Sequence, residues 1–521
     1  MRRIVLTLLV ALAALPLCAA NTGVVRGRVS CEGRGIPGVV VSDGVAVTST
    51  DRGGRYRLKS DNPNGYVFIS VPSGYEVQTD GLIPRFFANV SGDKVEKVDF
   101  NLTAVDQSSY NLIVFTDLHL TGDKVDDDIR QFRSDFLPSF ISTAKSLQGP
   151  LHTLCLGDMS TDGKWYSNSF ALPEYLAQME GYPGPIWHVP GNHDNDRKGT
   201  HEPEEWDSFA EQRFKDEIGP NYYSMNIGGV HYLMLDNIIS CGPKSSGKPA
   251  DTYVGKYGFT YGIDPEQLKW IKKDLSYVSR DTPLVVCMHV PIFRIRGMKD
   301  DGSPVIKYGS CKSQKASVLT DLVKDFRRVE FLAGHFHNTR VFDVTDNITA
   351  HTVASASAVS WKLNDRNEPL VCDDGTPGGF QIFKVENAEI SWQYKSIYTD
   401  VENSQCSVYD LNLIPEEYGG EPSSNAFLVN VFNYDSHWTV KAFENGQEIP
   451  LTQTWGCDPK YIKIRRETRM LLKRPKAFLE VPCLHIFKGR RSSPDSDVRI
   501  VLTDRFGNEY RSSLNHIAYK N

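Results

Sequence analysis

The chain has 521 residues, of which 40% are hydrophobic and 23% are charged, an ordinary globular composition that excludes a chain disordered throughout. At roughly 150 residues per domain, this length predicts about three domains. The 58 Lys and Arg residues against 64 Asp and Glu residues give a net charge of -6, which provides no basic surface and disfavours nucleic acid as a partner.

The first twenty residues have the pattern of a secretory signal peptide. Two arginines precede an apolar run over residues 4–17, and small residues end the segment at Ala20, the order of parts that such signals have. The apolar run is shorter than the roughly twenty residues that a membrane-spanning helix requires. We therefore expect residues 1–20 to be removed and the protein to be exported to the periplasm or the exterior, with no transmembrane segment.

The cysteines leave two questions open. Cys18 raises the alternative of a lipoprotein, but Leu17 is too large for the position before a lipidated cysteine. Removal of the signal leaves nine cysteines, an odd number that cannot all pair within one chain. Cys241 and Cys311 lie in loop-like stretches, where a disulfide between them is one alternative and two free thiols the other.

Residues 21–106 are predicted to form a small β-sandwich. Apolar and polar positions alternate between turn signals, and no helical period is present. The segment resembles transthyretin-type, carboxypeptidase-regulatory-like modules in the motifs around Val25, Pro37 and Tyr56. Such modules usually space or position other domains, so we expect no chemistry here.

From residue 107 to 358, apolar strands alternate with amphipathic helices, the pattern of an α/β domain. Helices are predicted at 127–147, 204–218 and 265–278, the last with an Asp-Pro pair as N-cap and first-turn proline. The six predicted strands are Leu112–Phe115, Thr153–Leu156, Ile186–Val189, Tyr232–Leu235, Leu284–Met288 and Phe331–Ala333. The helical pattern stops near residue 360, so we expect 359–521 to be a mostly β domain without a second catalytic centre.

Side chains of the kinds that bind metal ions follow five of these strands. The carboxyl ends of strands in an open α/β sheet meet at one edge, where ligands bind, and residues i and i+2 of an extended segment share a face. One such motif is weak evidence, because a lone histidine after a strand is more often a core or surface residue. Five motifs together predict a single metal site. The candidates are Asp117, His119, Asp158, Asn192, His193, His289, His335 and His337.

These motifs resemble those of the calcineurin-like metallophosphoesterases. The family pattern Asp-x-His, Gly-Asp, Gly-Asn-His-(Asp/Glu), His and Gly-His-x-His is present in order between residues 110 and about 340. Carried over by position, the resemblance implies that the first metal ion is held by Asp117, His119, Asp158 and His337. It implies that the second is held by Asp158, Asn192, His289 and His335. His193 would be the catalytic histidine and not a ligand.

The last third resembles the C-terminal domain of exported bacterial members of the same family, in its turns at 374–377 and 504–507. The resemblance implies an α/β four-layer (α-β-β-α) core, in which two sheets pack face to face between helices. The expected domains are the signal peptide 1–20, the β-sandwich 21–106, the core 107–358 and the mostly β domain 359–521.

The residue types agree with the implied chemistry. Two divalent cations about 3.5–4 Å apart need a shared anionic ligand, and Asp158 is able to bridge them. With Asp117 as the second carboxylate of the implied set, two cations leave the site positive, so a bridging hydroxide can form and attack a bound phosphate ester. His193 would protonate the leaving oxygen, and Asp194 either orients His193 or has a structural role in the turn. Oxygen and nitrogen ligands without thiolate suit Mn, Fe or Zn.

We therefore expect an exported, dinuclear-metal-dependent phosphoric ester hydrolase, with a diester favoured over a monoester or a pyrophosphate. A glycan- or lipid-linked phosphate is open as the substrate. Arg294, Arg296 and Lys299 follow His289 and are candidates to contact a further phosphate, with solvated surface charges as the alternative. The other class of function is a periplasmic or surface protein that binds glycan or protein and keeps its metal site for structure only. The intact His193 argues against it.

Overall fold

The computed structural model of the protein describes residues 23–60, 64–124, 127–196, 206–241, 258–309, 317–361, 370–403, 405–472 and 481–514. The expected signal peptide, Cys18 and Cys311 lie outside these ranges. Within them, no helix is both long and apolar enough to cross a bilayer. Cys241 is an exposed free thiol.

The N-terminal domain is a sandwich of two sheets, as expected. The strand Gly23–Cys31 pairs antiparallel with Arg55–Ser60 and parallel with two later strands, Val95–Lys97 and Phe100–Ala104. Arg55–Ser60 alternates exposed and buried positions, because successive side chains of a strand point to opposite faces. The second sheet has the order Phe87–Asn89, Tyr66–Ile69, Val40–Ser42, Val47–Ser49. The other short strands are Arg34–Gly35, Tyr75–Val77, Thr79–Asp80 and Ile83–Pro84.

Two mixed sheets form the centre of the core. The first has the order Trp187–His188, Leu151–Cys155, Ser109–Phe115, Gly379–Glu386, Glu389–Ser396. The second has the order Tyr223–Ile227, Val230–Met234, Leu284–Cys287, Val329–Ala333, Ile348–Thr352, Arg340–Thr345. Two hairpins, Ile238–Cys241 with Gly258–Tyr261 and Phe293–Met298 with Pro304–Tyr308, extend from the core.

The strand Ser109–Phe115 shows how the four layers are built. Tyr110 faces the second sheet, where its hydroxyl lies 2.6 Å from that of Tyr232, and Leu112 and Val114 share that face. Phe115 points the other way, onto helix residue Phe140, with ring centroids 5.0 Å apart. Alternation along one strand therefore supplies both the contact between the sheets and the contact with the helices, and the four-layer prediction is confirmed.

The first sheet contains two strands that the sequence analysis assigned to the C-terminal domain. Gly379–Glu386 pairs antiparallel with Ser109–Phe115 over six residue pairs, and Glu389–Ser396 pairs with Gly379–Glu386. The expected boundary at residue 359 therefore cuts through this sheet. The end of the helical pattern does not mark the end of the core, because pairing between strands far apart in sequence decides which residues complete a sheet.

The predicted helix at 127–147 is three segments. A π-helix, Phe132–Phe136, separates Asp128–Gln131 from Leu137–Ser146. Pro138 lies at the start of the last segment. Because proline has no N–H to donate to the preceding turn, the regular α-helical hydrogen bonds are interrupted, and the π-helix, with its wider turn, precedes this position. The other helices of the core are Leu172–Gln178, Trp206–Glu217, Pro265–Asp274 and Ser317–Val323, with short 3-10 turns at Asp162–Lys164 and Leu275–Tyr277.

The C-terminal domain consists of two sheets, in the orders Cys406–Asp410, Ala426–Val431, Cys483–Arg490, Leu451–Gly456 and Gln447–Ile449, Thr439–Glu444, Val498–Thr503, Glu509–Ser513. Short 3-10 turns lie at Val401–Asn403 and Glu416–Tyr418. The expectation that helices stop after residue 360 is wrong, because Pro459–Leu472 is an α-helix. Asp458 accepts hydrogen bonds from the N–H groups of Lys460 (2.9 Å) and Tyr461 (3.1 Å). This N-cap and first-turn proline repeat the signal that predicted the helix at Pro265.

Candidate metal centre

The ends of four core strands meet at one edge and bring six of the predicted ligands together. These residues are Asp117, His119, Asp158, His289, His335 and His337. Backbone hydrogen bonds hold the strand-end loops against one another, from Asp117 N to Gly157 O (3.0 Å) and from His119 N to Asp158 O (2.9 Å). The convergence follows from adjacency of the strands in the two sheets.

Asp117, His119 and His337 form the first group of candidate ligands. Nε2 of His119 lies 3.0 Å from Nε2 of His337. Oδ1 of Asp117 lies 3.5 Å from the first of these nitrogens and 3.4 Å from the second. Two atoms that each lie about 2.1 Å from one ion are about 3–4 Å apart, so these spacings fit ligands of a single cation.

Asp158, His289 and His335 form the second group. Oδ2 of Asp158 lies 3.1 Å from Nε2 of His289, and that nitrogen lies 3.2 Å from Nδ1 of His335. The same carboxylate oxygen lies 3.5 Å from Nε2 of His119, in the first group. Asp158 therefore stands between the two groups, where a carboxylate shared by two cations would have to be.

The polar atoms of this cluster are arranged to bind cations rather than one another. Nδ1 of His337 donates to the carbonyl of Ala358 (2.6 Å), and Nδ1 of His289 donates to that of Leu156 (2.8 Å). The Nε2 lone pairs are therefore directed into the cluster. Oδ1 of Asp117 is buried and accepts no hydrogen bond within the described ranges, an arrangement that costs free energy unless a cation is bound. The side chains present fit two divalent cations.

Five of these candidate ligands have a left-handed backbone. The φ angles are 56° at Asp117, 48° at His119, 53° at Asp158, 69° at His335 and 50° at His337. Each such residue other than glycine costs on the order of 1–3 kcal/mol and persists only where the surroundings fix it. Backbone strain is thus concentrated at the positions that carry the candidate ligands.

Two glycines of the motifs are required by close packing. A Cβ on Gly334 would lie 2.1 Å from Oγ1 of Thr116, and a Cβ on Gly191 would lie 2.2 Å from Oδ1 of Asp158. Real Cβ atoms do not approach other atoms this closely, so any larger residue would displace a candidate ligand or its support. Neither Gly191 nor Gly334 has a positive φ. Close packing, and not a left-handed backbone, therefore requires glycine at these two positions.

The charges within the cluster favour a cation between the carboxylates and the imidazoles. Burial opposes ionisation of Asp158, but the nearby His289 and His193 hold its pKa well below the ordinary range. Burial acts against a charged His289, yet the Asp158 carboxylate raises its pKa to about 9. Burial lowers the pKa of His335 to about 3, which leaves that ring neutral and able to donate a lone pair.

His193 and Asn192 lie in the turn after the strand Trp187–His188. The N–H of His193 donates to Oδ1 of Asp158 (2.7 Å), and Asn192, before it in the chain, is 2% exposed. The side chain of His193 is 36% exposed, and its Nδ1 lies 2.7 Å from Oδ1 of Asp162. The His193 ring is thus at the solvent-facing rim of the cluster. That the seven residues bind metal and that His193 is catalytic stay predictions.

The hydrogen bonds of Asp194 distinguish the two alternatives for this residue. The Asp194 carboxylate is buried and accepts hydrogen bonds from the backbone N–H groups of Gly191 (2.9 Å), Met159 (3.0 Å) and Ser160 (3.3 Å). Asp194 therefore has the structural role in the turn that was the alternative. Sequence reasoning missed Asp162, although its place four residues after Asp158 in the same loop was an available signal.

Aromatic side chains lie near the rim of the cluster. Trp165 is only 3% exposed, and its Nε1 donates to Oγ of Ser160 (2.8 Å), so it supports the loop instead of offering a surface. Tyr166 is 39% exposed. On the other side, the hydroxyl of Tyr261 lies 3.3 Å from Nε2 of His335.

Three family models match the chain. Their descriptions are N terminal of calcineurin-like phosphoesterase at residues 23–105, calcineurin-like phosphoesterase at residues 110–339, and C terminal of calcineurin-like phosphoesterase at residues 350–510. A comparison with curated proteins finds no match.

Solved structures match the chain at low similarity. A dimetal phosphatase from Danio rerio is 12% identical, with 54% of this chain and 98% of that chain covered and a TM-score of 0.30. A purple acid phosphatase from yellow lupin (Lupinus luteus) is 13% identical, with coverages of 70% and 67% and a TM-score of 0.35. PhoD is 11% identical, with coverages of 85% and 92% and a TM-score of 0.37. Likenesses at these TM-scores carry no argument about activity.

Proposed function

Since this chain belongs to the calcineurin-like phosphoesterase family, we propose that it is an exported hydrolase of phosphate diesters. Membership makes it a metal-dependent phosphoric ester hydrolase with a dinuclear site and a phosphate ester as substrate. The preference for a diester, the choice among Mn, Fe and Zn, and the export are proposals.

The position of Asp158 between the two groups of ligands carries the proposed chemistry. Two divalent cations, when bound, polarise the phosphoryl oxygens and lower the pKa of a water molecule. Asp117 and Asp158 would hold these ions, and the imidazoles of the cluster would complete the ligand set without adding negative charge. A negatively charged phosphate ester can therefore bind at the same edge of the sheets.

His193 is placed to assist departure of the leaving group. Asp162 accepts a hydrogen bond from Nδ1 of His193, which fixes the orientation of the ring beside the cluster. An alkoxide is a poor leaving group, so a proton donated by the His193 ring would raise the rate, typically by a factor of about 10² to 10⁴. Asp162 does not touch the substrate in this scheme and acts by positioning the ring.

Aromatic side chains on both flanks of the cluster support a diester. Tyr261 lies beside His335 on one flank. On the other flank, Trp165 N donates to Asp162 O (3.3 Å), so the exposed Tyr166 belongs to the loop that supports His193. Organic groups on both sides of the phosphorus would meet an aromatic surface, and a diester has two such groups where a monoester has one.

Hydrolysis of nitrophenyl esters tests the proposal. We expect the mature chain loaded with Mn²⁺ to cleave bis(4-nitrophenyl) phosphate with a higher kcat/KM than 4-nitrophenyl phosphate, and His193→Ala to lower both activities. A higher kcat/KM with the monoester would overturn the diester preference and keep the hydrolase. Export is tested by N-terminal sequencing of secreted chain, which we expect to begin at Asn21. Intact Met1 on a chain retained in the cytosol would contradict it.

A further inference from the structure

The hairpin that follows His289 has one apolar face and one cationic face. Phe293 packs edge-on against Phe331 of the core, with ring centroids 5.3 Å apart. Successive side chains of a strand alternate between faces, so Arg294 and Arg296 project from the face opposite Phe293. Lys307 is paired with Arg294 across the hairpin, which places it on that same face. We call Arg294, Arg296 and Lys307 the cationic face.

Arg294 reaches towards the metal centre. Its Cζ lies 4.6 Å from the ring centroid of Phe336, the residue between His335 and His337, and 6.0 Å from that of Tyr261. The Tyr261 hydroxyl in turn lies 3.3 Å from Nε2 of His335. One aromatic side chain therefore separates the guanidinium group from the candidate ligands, and the contact with Phe336 restrains the plane of that group.

The positive charge of this face has no anionic partner within the described ranges. No ion pair there includes Arg294, Arg296 or Lys307, and Nε of Arg294 is buried without a hydrogen-bond acceptor. Burial, and then the charge of Arg296, lower the pKa of Arg294 from its ordinary value. A half-buried cation without a partner is costly, and an external anion would relieve that cost.

The carboxylates of the hairpin do not supply this anion. Asp301 lies in the turn between the two strands, where its Oδ1 accepts from the N–H (2.9 Å) and the hydroxyl (2.6 Å) of Ser303. Asp300 is its exposed neighbour in the same turn, at the end of the hairpin away from the pair of Arg294 and Lys307.

We propose that the cationic face binds a second phosphate group of the substrate while the first lies at the metal centre. The inference rests on the proposed phosphoesterase function and names its substrate class, phosphate esters with a further phosphate beyond the one that is cleaved. A guanidinium group matches two phosphate oxygens at once, and Arg296 and Lys307 add charge for a dianion. The aromatic rings of Phe336 and Tyr261 would lie along the part of the substrate that connects the two phosphates.

Calorimetric binding of two nucleotides to the full mature chain loaded with Mn²⁺ tests this inference. The probes are thymidine 3′,5′-bisphosphate and thymidine 5′-monophosphate, which differ by one phosphate. All proteins carry His193→Ala, so that the probes survive the measurement. We expect the bisphosphate to bind about tenfold more tightly, since one charge-assisted contact at a half-exposed site has about that effect.

Three further variants assign this preference to the cationic face. Arg294→Gln should bring the ratio of the two affinities close to one, and Arg296→Gln should reduce it, which keeps the test valid if the first variant fails to fold. Arg280→Gln is the matched control, because Arg280 also stacks on a phenylalanine, Phe326, at 4.2 Å, and it should keep the ratio. The inference would be overturned if the protein with His193→Ala alone bound both nucleotides with equal affinity. It would also be overturned if Arg294→Gln and Arg296→Gln left the ratio of the two affinities unchanged.

Different measurements test the phosphoesterase function and the second phosphate site. Turnover is measured separately, on the 4-nitrophenyl esters of both nucleotides with His193 intact. Absence of hydrolysis of both esters would contradict the phosphoesterase function, whereas the affinity ratio decides the second phosphate site regardless of turnover. Hydrolysis of both esters together with equal affinities would keep the function and reject the second site.

Discussion

Nδ1 of His193 lies 2.7 Å from Oδ1 of Asp162, and His193 lies beside the candidate ligands His119 and Asp158. Asp162 is buried, whereas the His193 side chain is 36% exposed. The backbone N–H of His193 donates to Asp158, the carboxylate between the two ligand groups. Asp162 therefore fixes the orientation of the ring, and Asp158 fixes the backbone of the same residue.

Asp162→Asn should lower kcat by about 10- to 100-fold with little change in KM, because the His193 ring loses the partner that orients it. The loss should be larger for a phenyl diester than for a nitrophenyl diester, since nitrophenolate leaves readily without a proton. Steady-state kinetics with both esters measures this. Asp321→Asn, which changes an exposed carboxylate 3.7 Å from Lys324, is the control. Equal losses with both leaving groups would show that Asp162 does not act through proton donation.

Asp158→Asn should reduce the metal content below two ions per chain and lower kcat at least a hundredfold. The amide keeps the shape but removes the negative charge that two cations would share. Metal analysis of the purified protein and nitrophenol release provide the two readouts. Asp325→Asn, at an exposed position, should keep both metal ions. An active Asp158→Asn variant with a full metal complement would refute the bridging role.

Gly334→Ala should destabilise the protein by about 1–3 kcal/mol, the usual effect of overpacking, and should lower its metal content. The added Cβ would lie 2.1 Å from Oγ1 of Thr116 and 2.6 Å from Oδ2 of Asp117. The matched control is Gly297→Ala, where the nearest atom, Cγ2 of Val305, is 3.8 Å away. Thermal unfolding and metal analysis are the measurements, and identical results for the two variants would contradict the packing argument.

His152→Phe should make stability less sensitive to acid. Burial lowers the pKa of His152 to about 4, so the folded protein keeps this ring neutral while the unfolded chain takes up a proton below about pH 6.5. Stability from this group is therefore complete above pH 6.5 and is lost as the pH falls towards 4. Between pH 7 and pH 5 the loss amounts to about 2 kcal/mol.

Urea unfolding at pH 7 and pH 5 tests that prediction. Phenylalanine keeps a ring for the edge-on contact with Tyr110, whose centroid lies 5.4 Å away, but it cannot titrate. We expect the variant to lose about 2 kcal/mol less than the original chain over this interval. An equal pH dependence with and without His152 would contradict the prediction.

The sequence alone determined the parts that depend on local pattern. Two pairs of candidate ligands directly follow apolar strands, Asp117 with His119 and His335 with His337. The spacing within each pair directs both side chains towards the same site, and the order of the motifs resembles that of one family. Strand alternation and the Asp264-Pro265 cap are likewise local signals, so the core, its edge and the helix at Pro265 could be predicted. The same signal at Asp458-Pro459 was present in the sequence but was missed.

Only the tertiary structure decided the relationships between distant segments. The strand Gly379–Glu386 completes the core sheet through pairing with Ser109–Phe115, more than 260 residues earlier, and no local pattern encodes such a partner. Asp162 rather than Asp194 contacts the His193 ring because the loop after Asp158 folds over the turn, while backbone N–H groups engage the nearer carboxylate. Likewise, the contact of Arg294 with Phe336 exists only once the hairpin lies beside the metal centre. Hydrogen bonds and packing depend on distance in space, which sequence spacing fixes only within a helix, a strand or a turn.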